Sequence, residues 1–261
     1  MKRTIATIAG VVSLVLAGAA PAAPRKGFSD WAAVVVAGDF VGARGGPTET
    51  FDNARRDIAK TLVSRMGFKP ANIRTYSVRP QLYQDTKPGR STLFGVQNGL
   101  KDLAGKAKGG CLFYFTSHGA KYGAFLNAED EKDQQIIFPV VMADLVNSAC
   151  PNRPTIVVVS TCFSGVNVPH LQKGDRLVMT AARKDRSSFG CGESSVYPYF
   201  DQCFLEEAQK APDFAVLATA VTACVSRMEQ ETGMSPPSEP QIWIGDGIKP
   251  LLPLYAFRKG G

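Results

Sequence analysis

Apolar residues fall along this chain in two kinds of run, and their alternation predicts a sheet crossed by helices. Short unbroken runs rich in β-branched or aromatic residues occur at 31–37, 111–116, 156–159 and 177–182. They have the length and composition of buried strands. Residues 73–78 predict a further strand, and 242–244 a last short one. Between the first two runs, Phe51, Ala54, Ile58, Leu62 and Met66 recur every three or four positions. That spacing predicts an amphipathic helix over 48–66, stopped at Gly67. Leu93, Val96, Leu100 and Leu103 predict a second helix, weakened by Gly95 and Gly99. Further helices are expected around 140–147, 200–209 and 214–231. The glycine-rich stretch 40–47, the polar stretch 80–90, the charged stretch 128–133 and the long stretch 183–198 read as loops. Alternating strands and helices give an α/β fold: a mainly parallel sheet with helices on both faces and right-handed crossovers.

The first 22 residues break this pattern. Lys2 and Arg3 precede an apolar run over 5–16, and small residues follow as far as Ala22. These are the parts of a secretory signal peptide, with cleavage expected after Ala22 and Ala20 at −3. The apolar run is short for a membrane span. The expectation is therefore an exported protein, periplasmic or extracellular, with a single domain over 23–261 and no integral membrane segment in the mature chain. Losing Lys2 and Arg3 lowers the formal charge from +7 to +5. The remaining basic residues are scattered without interleaved aromatics, so no nucleic-acid partner is expected.

Composition changes this picture little, since 44% hydrophobic and 20% charged residues describe an ordinary globular protein. The cysteines change it more. There are six, with no C-x-x-C and only two histidines, a poor supply for a zinc site. No metal or cofactor is expected. Export allows disulfides. If one cysteine stays free as a nucleophile, the other five form at most two pairs and leave one more thiol. Cys191, Cys203 and Cys224 are the first candidates to pair, with connectivity open.

The candidate chemistry lies at two strand ends. The run 156–159 leads through Ser160 and Thr161 into Cys162-Phe-Ser-Gly165, and 111–116 leads into Ser117-His118-Gly119. In open α/β sheets, reactive groups gather at the carboxyl ends of strands. Neighbouring strands would bring a base, His118, beside a thiol, Cys162. Gly119 permits a sharp turn, and the backbone N–H groups of Gly119 and Cys162 are candidates for an oxyanion hole. Each piece has a plainer reading. A cysteine ending a buried strand is commonly a small apolar residue, and Ser-His-Gly alone carries little. His170, after Pro169, reads as a solvated loop residue. The joint placement is what points to nucleophile and base.

Those two segments together resemble the legumain-like cysteine peptidases of the caspase fold, in a bacterial-type secreted form. The resemblance extends to Val36-Ala37-Gly38 at the first strand end, to residues 180–191 after the nucleophile strand, and to Tyr199-Phe200-Asp201. It covers roughly 31–205. It implies a caspase-like three-layer sandwich, a peptide or protein substrate, and a thioester acyl-enzyme formed on Cys162. Ser187, Ser188 and Asp201 are implied as substrate-binding residues, with Asp201 as an acidic pocket floor and 183–198 as one wall of the cleft. The chain also departs from the family. Phe163 stands where legumains carry an acidic residue, and Asp39-Phe40 where they carry an orienting asparagine. The pocket arginine falls near Thr48, with Arg44 close by. Asparagine specificity is therefore not carried over. A transamidase would use the same dyad, and a caspase-fold binding module would need neither His118 nor Cys162.

Overall fold

The computed structural model describes residues 27–126 and 135–258. The proposed signal segment and the charged stretch 128–133 lie outside them. Five parallel strands carry the core of the sheet: β1 (Trp31–Ala37), β2 (Ile73–Ser77), β4 (Gly110–Thr116), β8 (Thr155–Ser160) and β9 (Arg176–Thr180). The two-residue β3 (Gly89–Arg90) closes one edge in parallel, and β10 (Gln241–Ile244) closes the other antiparallel to β9. The strand order is β10-β9-β8-β4-β1-β2-β3. A separate antiparallel sheet, β5 (Gly119–Ala120), β6 (Gly123–Leu126) and β7 (Gln135–Ile137), follows His118 directly.

Every residue of β1, β4, β8 and β9 is buried. That is why these strands read as continuous apolar runs and not as alternating ones. Alternate side chains serve two cores. Ala33, Val35, Leu112, Tyr114, Ile156 and Val158 face one layer, made of α1 (Thr50–Ser64), α5 (Tyr199–Ala208) and α6 (Phe214–Thr232). Val34, Val36, Phe113, Phe115, Val157 and Val159 face the other, made of α2 (Leu93–Lys106), α3 (Pro139–Ala149) and the single turn α4 (Val168–Leu171). The result is a three-layer α/β sandwich with helices on both faces of a mainly parallel sheet.

Two disulfides reinforce the layers. Cys111 on β4 joins Cys150 at the end of α3, and Cys203 on α5 joins Cys224 on α6. Cys162 and Cys191 are free. Cys191, one of the first candidates for pairing, is therefore a thiol, while Cys111, an interior strand residue, is bridged. His170 lies in α4 and not in a loop, and it is exposed as expected. Among the described residues no helix is long and apolar enough to cross a membrane.

Candidate active site

The register of β4 against β8 places the two candidate residues. Thr116 pairs with Ser160, and the last ladder bond runs from the Ser117 N–H to the Ser160 carbonyl at 3.1 Å. His118 and Cys162 lie two residues beyond that pair, past a bend in each chain at Ser117 and Thr161. The His118 ring meets Phe51 of α1 edge-on, with centroids 5.1 Å apart.

The imidazole is held from a second side. His118 Nε2 lies 2.8 Å from the Val41 carbonyl oxygen. A carbonyl only accepts, so Nε2 carries the hydrogen and Nδ1 is left as the basic nitrogen. Val41 is itself fixed by a short chain of bonds. Asp39 Oδ1 accepts from the N–H groups of Phe40 and Val41 at 2.7 and 3.0 Å. Farther along the same loop, Glu193 Oε1 accepts from Arg44 and Gly46 at 2.8 and 3.3 Å. The position where the resemblance calls for an orienting asparagine thus holds an aspartate that orders the loop, and a backbone carbonyl contacts the histidine. No residue type in the sequence signals that contact.

Cys162 sits in a tight turn. Phe163 adopts the left-handed conformation, φ 56° and ψ 15°, which costs a non-glycine residue about 1 kcal/mol or more. Neighbouring bonds impose it: the Phe163 N–H donates to Arg186 and the Gly165 N–H to Ala182, each at 2.8 Å. The turn leaves the thiol half-buried against the 183–198 loop. The Ser188 N–H donates to Sγ at 3.3 Å, and the thiol lies 3.5 Å from the Ser188 carbonyl oxygen and 3.6 Å from its hydroxyl. Among the described residues no hydrogen bond joins imidazole to sulfur, a separation common in peptidases without substrate.

Gly119 completes the contact between the two strand ends. A Cβ there would lie 2.7 Å from Thr161 Oγ1, and closer still to the Cys162 carbonyl oxygen. The Phe125 N–H donates to the His118 carbonyl, so Gly119, paired with Ala124, occupies a non-hydrogen-bonded site of the β5–β6 ladder. Its N–H points away from β6.

The remaining expected residues are placed variously. Ser188 contacts the sulfur directly. Ser187 and Arg44 are exposed on the two loops beside His118 and Cys162. Asp201, expected as a pocket floor, is 0% exposed. One carboxylate oxygen accepts from Tyr114 Oη and the other from Thr116 Oγ1, each at 2.5 Å. With both oxygens occupied under the sheet it has no face toward a substrate, and the expected preference for a polar or basic side chain loses its basis. Cys191 lies near enough to Cys162 to feel its charge. Burial first, and then Cys162, push the Cys191 thiol up to about 11, so it remains neutral and unreactive at ordinary pH. A cavity of about 730 Å³ lies along α1 and β2, lined by basic side chains including Arg56, Lys60 and Arg74. None of its lining residues is His118, Cys162 or part of the loops around them.

Burial also raises the Asp201 carboxyl to about 6, against the opposing hydrogen bonds from Thr116, Tyr114 and Ser160. The folded protein therefore holds this proton more tightly than the unfolded chain, whose value is near 3.8. The contribution to stability is full below about pH 4, falls as pH rises toward 6, and is flat above. Two pH units correspond to about 3 kcal/mol. Urea unfolding of wild type and Asp201→Asn from pH 4 to 7 is expected to show the wild type losing stability relative to the variant by that amount.

A strand-end histidine, a strand-end cysteine and a shared backbone contact are the parts of a thiol hydrolase. The Peptidase C13 family model matches residues 90–233, more than half of the chain and inclusive of both residues. The chain belongs to the peptidase C13 family. As a C13 protein it is a cysteine-type peptidase acting on protein substrates, and the resemblance to legumain-like enzymes read from the sequence holds. Caspase-1 from Spodoptera frugiperda has a similar crystal structure, with a TM-score of 0.57 over 89% of this C13 chain and 94% of the caspase. At 15% identity that likeness shows the fold, which is caspase-like. A search of curated proteins found no match.

Proposed function

We propose that this C13 peptidase cleaves peptide bonds through a His118–Cys162 dyad and a thioester acyl-enzyme. The observation that carries the reading is the β4–β8 register, which sets the two residues side by side with Gly119 against the Cys162 carbonyl. His118 Nδ1 takes the thiol proton, and the thiolate attacks the peptide carbonyl carbon. The N–H groups of Gly119 and Cys162 hold the resulting oxyanion. The Val41 carbonyl steadies the imidazolium through Nε2–H. His118 then gives its proton to the departing amine, leaving the acyl group on sulfur. A water molecule, deprotonated by the same nitrogen, attacks the thioester, and the acid leaves as Cys162 is restored.

Loop 183–198, with Ser187, and loop 40–47, with Arg44, flank the dyad and form the two walls of the substrate cleft in this reading. The test is mass-spectrometric product analysis of a mixed peptide pool, with and without an added primary amine. Free carboxyl ends at new termini, unchanged by the amine, are expected. Products capped with the amine would assign transamidation to the same site, and an uncut pool would overturn the reading.

Export belongs to the same proposal. The basic start, the apolar run over 5–16 and the small residues up to Ala22 support a signal peptide. The Cys111–Cys150 and Cys203–Cys224 bridges suit an oxidising compartment. The mature domain would begin at Ala23, a terminus that Edman sequencing of the exported protein reads directly.

A further inference from the structure

We infer that Asp201 is a positioning residue for the dyad: from the first turn of α5, its carboxylate fixes the end of β4, two residues before His118, at the position where β4 pairs with the strand that leads to Cys162. The inference rests on the dyad reading above and concerns a residue that touches neither substrate nor sulfur. Its geometry is specific. Tyr114 and Thr116 are alternate residues on one face of β4, and they donate their hydroxyl hydrogens to opposite oxygens of Asp201; His118 follows two residues after Thr116. Thr116 stands directly across from Ser160 of β8, and Ser160 is two residues before Cys162. The carboxylate thus holds β4 at its last paired position beside β8.

The energetics argue that this is not a stability device. Among the described residues no cation pairs with Asp201, and a buried carboxylate without one is unfavourable. The dipole at the α5 N-terminus offsets only part of that. An asparagine would fill the same space without a buried charge. Such a departure from economical packing is expected where a site is being held in place. What the carboxylate supplies in return is two acceptor oxygens aimed at fixed hydroxyls, which sets the height of Thr116, and through it His118, relative to the β8 end. The amide of Asp201→Asn replaces one acceptor with a donor, so one of the two β4 hydroxyls loses its partner.

The experiment compares steady-state hydrolysis of a peptide substrate by wild type, Asp201→Asn, Thr116→Val and the double variant, alongside their thermal unfolding. Asp201→Asn is expected to lower kcat about 10- to 100-fold with KM within about 2-fold, while its melting temperature at pH 7 stays at or above that of wild type. Thr116→Val is expected to lower kcat similarly, and the double variant to be no worse than the poorer single one, because both break the same link. A folded Asp201→Asn protein with kcat within about 2-fold of wild type would overturn the inference. So would a fall in kcat matched by a fall in melting temperature. Should Asp201→Asn fail to fold, Thr116→Val and Tyr114→Phe carry the comparison, and unchanged kcat in both would overturn it. Absence of hydrolysis by wild type would instead sink the dyad reading itself.

Discussion

Replacing Cys162 with alanine is expected to reduce peptide hydrolysis to background, and replacing His118 with alanine to reduce it by about 10²- to 10⁴-fold, the usual worth of a placed general base. In the proposed mechanism the cysteine supplies the bond-forming atom, so nothing nearby would substitute for it. Cys191, the other free thiol of the described residues, is pushed up to about 11 and contributes almost no thiolate near neutrality. Cys191→Ala should therefore retain activity within about 3-fold. The histidine variant keeps the sulfur, the Ser188 N–H against it and the backbone donors, and some turnover should survive on alkaline thiolate alone. The double variant His118→Ala/Cys162→Ala should be no less active than Cys162→Ala, since the two residues act as a unit. Progress curves at matched folded-protein concentration measure all four. Comparable residual rates in Cys162→Ala and wild type would mean that the nucleophile lies elsewhere.

The second large effect is expected from a single methyl group. Gly119 does not need its glycine for a positive φ, so Gly119→Ala meets no backbone barrier, only space that is already filled. The added Cβ would press on Thr161, with 2.7 Å to Oγ1, and on the carbonyl of Cys162. Neither is a flexible side-chain tip that can swing aside. The strand ends must part, carrying the Gly119 and Cys162 N–H groups out of register with each other. Loss of one oxyanion donor typically costs on the order of 10²-fold in rate, and overpacking a rigid contact about 1–3 kcal/mol of stability. Gly119→Ala should thus lower kcat/KM by at least about 10²-fold with a modest fall in Tm. Near-normal values of both would show that β4 and β8 do not meet as described.

Much of this was legible in the residues themselves, for physical reasons that also explain what was not. Strands β1, β4, β8 and β9 are buried on both faces, so their apolar runs stand out, and each observed strand begins and ends within two residues of the expected run. His118 and Cys162 are chemically distinctive residues at the ends of two of those runs, and their separation of 44 positions equals the offset of the observed register. The small sheet β5–β7 has no such signal. Gly119-Ala120 and Gly123 offer almost no apolar side chain, and strands of two to four residues carry too little pattern to detect. β3, two residues in a polar stretch, escapes for the same reason. The Val41 carbonyl and the Ser188 N–H are groups that every residue possesses, so only folding reveals which ones meet the dyad. Asp201 misled because an acidic residue near a site suggests a charged pocket. Its place in the first turn of α5 instead turns it beneath the sheet, a choice decided by tertiary packing. Cys111 was hidden within a strand run where a cysteine passes for an apolar residue, and its partner Cys150 is 39 positions away.

The central claim is that Cys162 is the nucleophile and His118 its activator. The most direct measurement is labelling of the purified protein with peptidyl electrophiles that differ only in the residue preceding the reactive group. Wild type, His118→Ala and Cys162→Ala would be run in parallel and the modified residue located by mass spectrometry. Modification at Cys162 that is strong in wild type, weak in His118→Ala and dependent on the peptide is the predicted result. Labelling of Cys191 in preference to Cys162, or labelling of Cys162 at the same rate with and without His118, would contradict it.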